Sequence, residues 1–111
     1  MLLERMMREN LASQGNLTAT RRRPGSVRGL TALAGTKQVT LNWAPPQNAS
    51  GVVGFNVFQG NESNRILNIA NVNTLRTLIQ GLTTGTAVAF YVSCYSTTLE
   101  SIKLPVVTTP L

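Results

Sequence analysis

Residues Val39-Thr40-Leu41-Asn42-Trp43 constrain this chain more than any other stretch. Apolar and polar residues alternate there with a period of two. Only an extended strand turns that period into one apolar and one polar face. Pro45 and Pro46 follow at once. Neither has an N–H to give to a ladder, so they stop the strand. Phe55 and Val57 resume the alternation beyond Gly51 and Gly54. Two short strands joined by a Pro/Gly loop, with the single Trp on the inward face, predict a β-sandwich core containing Trp43 and Phe55.

The rest of the chain from Val27 onward follows the same pattern. Leu30, Ala32 and Leu33 suit a first strand, residues 38–43 a second and residues 53–59 a third. A turn at Gln59–Asn64 leads to a fourth strand through Ile66, Leu67, Ile69 and Ala70, and Thr74–Ile79 suits a fifth. After a loop at Gln80–Thr86, Ala87–Ser96 is the longest strand. It places Val88, Phe90, Val92 and Cys94 on one face and Tyr91 and Tyr95 on the other. Leu104–Thr109 closes the series. Seven strands with a turn signal about every ten residues predict a two-sheet antiparallel sandwich. Cys94, the single cysteine, cannot form an intramolecular disulfide. It shares the inward parity of Phe90 and Val92, so it is expected in the core.

In their order and spacing these pieces resemble the fibronectin type III (immunoglobulin-like) family. The likeness runs from about Pro24 to Pro110. It rests on Leu30-Thr31-Ala32, on Val39-x-Leu41-x-Trp43-x-Pro45-Pro46 and on Val53-Gly54-Phe55-Asn56-Val57-Phe58. Further along it rests on Gly81-Leu82-Thr83-Thr84-Gly85-Thr86, Val88-x-Phe90-x-Val92-x-Cys94 and the closing Pro105–Pro110 segment. The resemblance implies a module that binds, spaces or displays. One position departs from the family. Val88 stands where a tyrosine usually pins the corner by bonding back to the backbone, so another contact must hold the Gly81–Thr86 loop. No Arg-Gly-Asp occurs at Thr97–Ser101, so integrin binding is not carried over.

Residues 1–26 read differently and define a separate anchoring segment, with the sandwich at 27–111. Leu2, Leu3, Met6, Met7 and Leu11 recur at helical spacing, with charged residues between them. A helix over 2–12 would have about three turns, too few to persist alone in water. Its apolar stripe therefore needs a partner. An extended arm follows, carrying Arg21, Arg22 and Arg23 before Pro24-Gly25. Of the net charge of +6, most belongs to residues 1–28, where six arginines face two glutamates.

The 111 residues suffice for one domain. With no histidine and no aspartate, the usual Ser-His-Asp and Cys-His sites cannot be built. A paired-carboxylate site would need two of the four scattered glutamates, Glu4, Glu9, Glu62 and Glu100, and zinc or calcium sets lack both ligand type and spacing. The expectation is a non-enzyme without catalytic residues, metal or cofactor. No apolar run reaches the roughly 20 residues that span a bilayer. Charges at residues 4–9 interrupt any signal-peptide core. A protein made in the cytoplasm and not secreted is expected.

Such a layout, an anchoring arm on an immunoglobulin-like head, resembles small bacteriophage virion proteins that decorate capsids. The reading implied is a structural virion component, present in multiple copies on a capsid, neck or tail. Leu3, Met6, Met7 and Leu11 would seat in a protein groove, and Arg21, Arg22 and Arg23 would meet an acidic rim. Tyr91 and Tyr95 are the candidates for a surface ligand such as a host glycan. Nucleic acid is disfavoured because no aromatic residue lies among the arginines, and membrane binding because glutamates interrupt the helix. The alternatives are a cytoplasmic protein-interaction adaptor and a carbohydrate-binding module.

Overall fold

The computed structural model describes residues 24–111, which form seven strands. These are β1 (Arg28–Gly35), β2 (Gln38–Ala44), β3 (Gly54–Gln59), β4 (Arg65–Ile69), β5 (Arg76–Gln80), β6 (Val88–Tyr95) and β7 (Leu104–Thr108). They pair into a three-stranded sheet of order β1-β2-β5 and a four-stranded sheet of order β4-β3-β6-β7. Every pairing is antiparallel. The expected helix over 2–12 and arm to Arg23 lie outside the described residues.

The period-two reading of the opening strand holds in detail. Val39, Leu41 and Trp43 are buried, while Gln38, Thr40 and Asn42 between them are half-buried. Phe55, Val57, Phe90, Val92 and Cys94 close over them from the other sheet. The Trp43 and Phe55 rings meet at 5.4 Å between centroids with a 60° tilt, a favoured aromatic geometry. Each such buried side chain stabilises the sandwich by about 1.5–3 kcal/mol relative to exposure. Among the described residues the buried Trp43 Nε1–H has no partner, so within the sandwich its ring is held by packing. Cys94 is fully buried; burial, the largest influence, pushes its thiol above the usual range.

Strand bounds differ from the alternation alone. β1 extends back to Arg28 because Gly29, at φ 58°, accommodates a bulge between Arg28 and Thr31. β5 starts later than expected, since Asn71 and Thr74 close a turn first. β3 is the larger surprise: it is buried on both faces, including Asn56 and Phe58. Gly54 opens β3 where a side chain would collide with the Ile69 carbonyl and the Tyr95 hydroxyl. Only glycine fits that approach.

Both ends of the described chain are fastened. At one end the Cys94 thiol donates to the Gly25 carbonyl at 3.0 Å, Val27 is 1% exposed and Arg28 Nε donates to the Pro45 carbonyl at 2.8 Å. At the other, Leu111 bonds through its N–H to Gly35 and through its carbonyl to Lys37, both at 2.9 Å.

Candidate functional site

The outward face of β3 and β6 carries a cross-strand set of polar side chains. The register places Gly54 opposite Tyr95, Asn56 opposite Ser93 and Phe58 opposite Tyr91. Asn68 on β4 lies opposite Asn56. Side chains at these positions share a face because the pleat alternates. The β6–β7 connection then folds back over that face. Ser101 fixes its course: its N–H donates to the Cys94 carbonyl at 2.8 Å, its Oγ accepts from the Cys94 N–H at 3.0 Å and donates to the Ile102 carbonyl at 2.8 Å.

This course delivers Glu100 onto the sheet. Its Oε2 accepts from Asn56 Nδ2 at 3.1 Å and from the Ser93 hydroxyl, and its Oε1 lies 3.7 Å from Lys103 Nζ. Asn56 Oδ1 in turn accepts from Asn68 Nδ2 at 2.8 Å and from Arg65 Nη1 at 3.4 Å. Asn68 Nδ2 also donates to the Tyr95 hydroxyl at 3.1 Å. Lys103 stands 4.8 Å over the Phe58 ring, a cation–π distance. Burial by itself would raise the Glu100 carboxyl, but the bonds from Ser93 and Asn56 and the Lys103 ammonium together outweigh it. The carboxyl is held below its ordinary range.

Chemically the arrangement is a latch. Ser93 is fully buried, so its hydroxyl cannot reach a substrate, and both Glu100 oxygens are engaged. What the network does is fix the β6–β7 connection on the sheet. Beside it lies a surface cleft of about 430 Å³ lined by Glu62 and residues 98–103.

Of the sequence-derived site residues, Tyr91 and Tyr95 are described. Both face outward on β6 and both are half-buried. Ser93 and Glu100 stand between them, and a spacing of four positions along the strand sets them about 13 Å apart. The Tyr95 hydroxyl is already engaged by Asn68. Leu3, Met6, Met7, Leu11, Arg21, Arg22 and Arg23 lie outside the described residues. Sequence reasoning missed the Asn56–Ser93–Glu100 set. The signal present was slight: Glu100 is one of two acids after residue 28, and Asn56 sits between the inward Phe55 and Val57.

A second cleft, of about 190 Å³, opens at the corner beside Val88. Gln59, Leu82, Thr83, Thr86, Val88 and Pro110 are among the residues lining it. Other donors hold the corner. The Gly85 N–H reaches the Pro110 carbonyl at 3.0 Å and Thr84 Oγ1 the Leu111 carbonyl at 3.1 Å.

No protein-family model matches the chain, and no curated protein does. Solved structures do match. A central fibronectin III array of RIM-binding protein aligns with a TM-score of 0.66 at 15% identity, over 78% of this chain and 35% of that one. A structure described as a myokine aligns with a TM-score of 0.65 at 20% identity, over 79% and 99%. The spore cortex lytic enzyme SleM of Clostridium perfringens aligns with a TM-score of 0.66 at 17% identity, over 78% and only 28%. The chain thus spans about a third or less of two of these three structures. At such identities the likeness defines the fold: an all-β, fibronectin type III/immunoglobulin-like sandwich of seven strands in two antiparallel sheets.

Proposed function

We propose that this chain is a non-enzymatic structural protein. Its sandwich is a rigid head held on a larger assembly by residues 1–26, and the finer form of the reading is a bacteriophage particle component at a capsid, neck or tail. The assembly partner takes Leu3, Met6, Met7 and Leu11 in a groove and Arg21, Arg22 and Arg23 against an acidic rim. The observation that supports a tether is the fastening at Gly25–Arg28. Cys94, the buried Val27 and the Arg28–Pro45 bond fix the point and direction from which the preceding residues leave the head.

The test compares the full chain with residues 24–111 alone, which keeps the Gly25 fastening. Expected is co-sedimentation of the full chain with particles from the producing culture, and loss of that co-sedimentation for the truncated chain with its circular dichroism unchanged. Replacement of Arg21, Arg22 and Arg23 by alanine should weaken it and make the remainder less sensitive to salt. Full co-sedimentation of residues 24–111 would refute the tether.

A further inference from the structure

A two-sheet sandwich has four edge strands, here β1, β5, β4 and β7. Exposed edges template pairing with other chains, so folded proteins blunt them with bulges, prolines or charges. β7 carries Pro105, which has no N–H to offer. β1 is kinked by the Gly29 bulge. β4 begins with Arg65, and its register with β3 shifts between Val57 and Phe58. β5 has no bulge, proline or register shift: Arg76–Gln80 pairs with Asn42–Gln38 in unbroken register. Its one charge is the terminal Arg76, and Leu78 at its centre is 47% exposed.

Among the described residues, the unpaired backbone groups of β5 follow from its bonding to β2. The Trp43 N–H donates to the Leu75 carbonyl at 3.0 Å. Backbone groups alternate in direction along an antiparallel strand, so Leu75, Thr77 and Ile79 face β2 while Arg76, Leu78 and Gln80 direct their N–H and C=O outward. Those same three side chains lie on the solvent face of the sheet, where Leu78 continues a row through Thr40 to Leu33, itself 70% exposed.

We propose that β5 pairs with β5 of a second copy of this chain, antiparallel across a two-fold axis at Leu78, joining two three-stranded sheets into one of six. The edge is complementary to itself. Leu78 meets its own equivalent as a hydrogen-bonded pair, and Arg76 falls opposite Gln80, so the two arginines do not oppose each other. The three outward residues of each strand are all paired, and the two Leu78 side chains become neighbours in the middle of a row ending in Leu33 on both sides. An isologous contact of this kind closes on itself and adds no further copies. One strand edge is small beside the roughly 1,200–2,000 Å² of standard interfaces, so the dimer is weak and concentration-dependent. This pairing involves none of residues 1–23 and stands apart from the tether.

Sedimentation of the full chain over a concentration series into the millimolar range tests it. A reversible monomer–dimer equilibrium is expected. Leu78→Pro removes an N–H that faces away from β2, and Leu78→Lys puts like charges side by side. Each should raise the dimer dissociation constant at least about tenfold while the thermal transition persists. Register is read by oxidative cross-linking. Hydrogen-bonded antiparallel pairs stand about 5.5 Å apart at Cα, within disulfide reach, so Leu78→Cys should cross-link and Gln80→Cys should not. Cys94 is buried and does not compete. A chain that stays monomeric throughout, a dimer unchanged by both Leu78 substitutions, or equal cross-linking at 78 and 80 would each overturn the pairing.

Discussion

Glu100 shows how one side chain can set the shape of a surface. Among the described residues it is the only acceptor for the Asn56 amide hydrogens and for the Ser93 hydroxyl, and both of those residues are buried. Glu100→Ala should therefore cost about 1–3 kcal/mol, because it leaves two buried donors unpaired, and urea unfolding at neutral pH measures it. The pH dependence has a definite sign. Since the folded carboxyl lies below its ordinary value of 4.5, its contribution is present above that value and is lost as pH falls through the folded value. Melting curves of the parent and Glu100→Gln should differ most at neutral pH and converge in acid. A gap that stayed constant down to pH values well below 4.5 would show that the Glu100 charge does not matter.

Elements are where the sequence was easiest and hardest to read. β2 was legible because its reason is local: Val39, Leu41 and Trp43 announce a buried face through period alone. β3 was half legible. Phe55 and Val57 pointed inward as expected, but Asn56 and Phe58 are covered by a connection that begins nearly forty residues later, and no periodicity encodes that cover. The β5–β6 corner was legible as an absence, through Val88. Its consequence is the cleft of about 190 Å³ beside Leu82 and Pro110. Val88→Tyr should fill part of that space and restore a backbone bond, raising stability by about 1 kcal/mol in denaturant unfolding. A lower midpoint would mean that Thr84 and Gly85 already hold the corner in a shape that excludes the ring.

For the molecule as a whole, the N-terminal edge of the sandwich at Gly25–Arg28 matters most. Residue 27 is where the strand pattern begins in the sequence, yet the packing reaches back to Gly25, whose carbonyl accepts a hydrogen bond from the Cys94 thiol. A chain starting at Pro24 should melt with the same midpoint as one carrying its first 23 residues. A chain starting at Val27 should melt several degrees lower, about 4–8 °C per kcal/mol lost in a domain of this size. Calorimetry on the two truncations decides it. Equal midpoints would mean that the Cys94–Gly25 contact contributes nothing to the head.

By itself the sequence determined the all-β class, the seven strands and the inward set around Trp43 and Phe55, since alternation and turn residues act over a few neighbouring positions. Only the tertiary structure decided that Glu100 latches the β6–β7 connection onto Asn56 and Ser93, that Cys94 fastens Gly25 and that β5 keeps an unblunted edge. These contacts join residues up to 69 positions apart, or depend on which side of a strand its backbone groups face. Register and chain crossing set such relations, and no local pattern of side chains carries them.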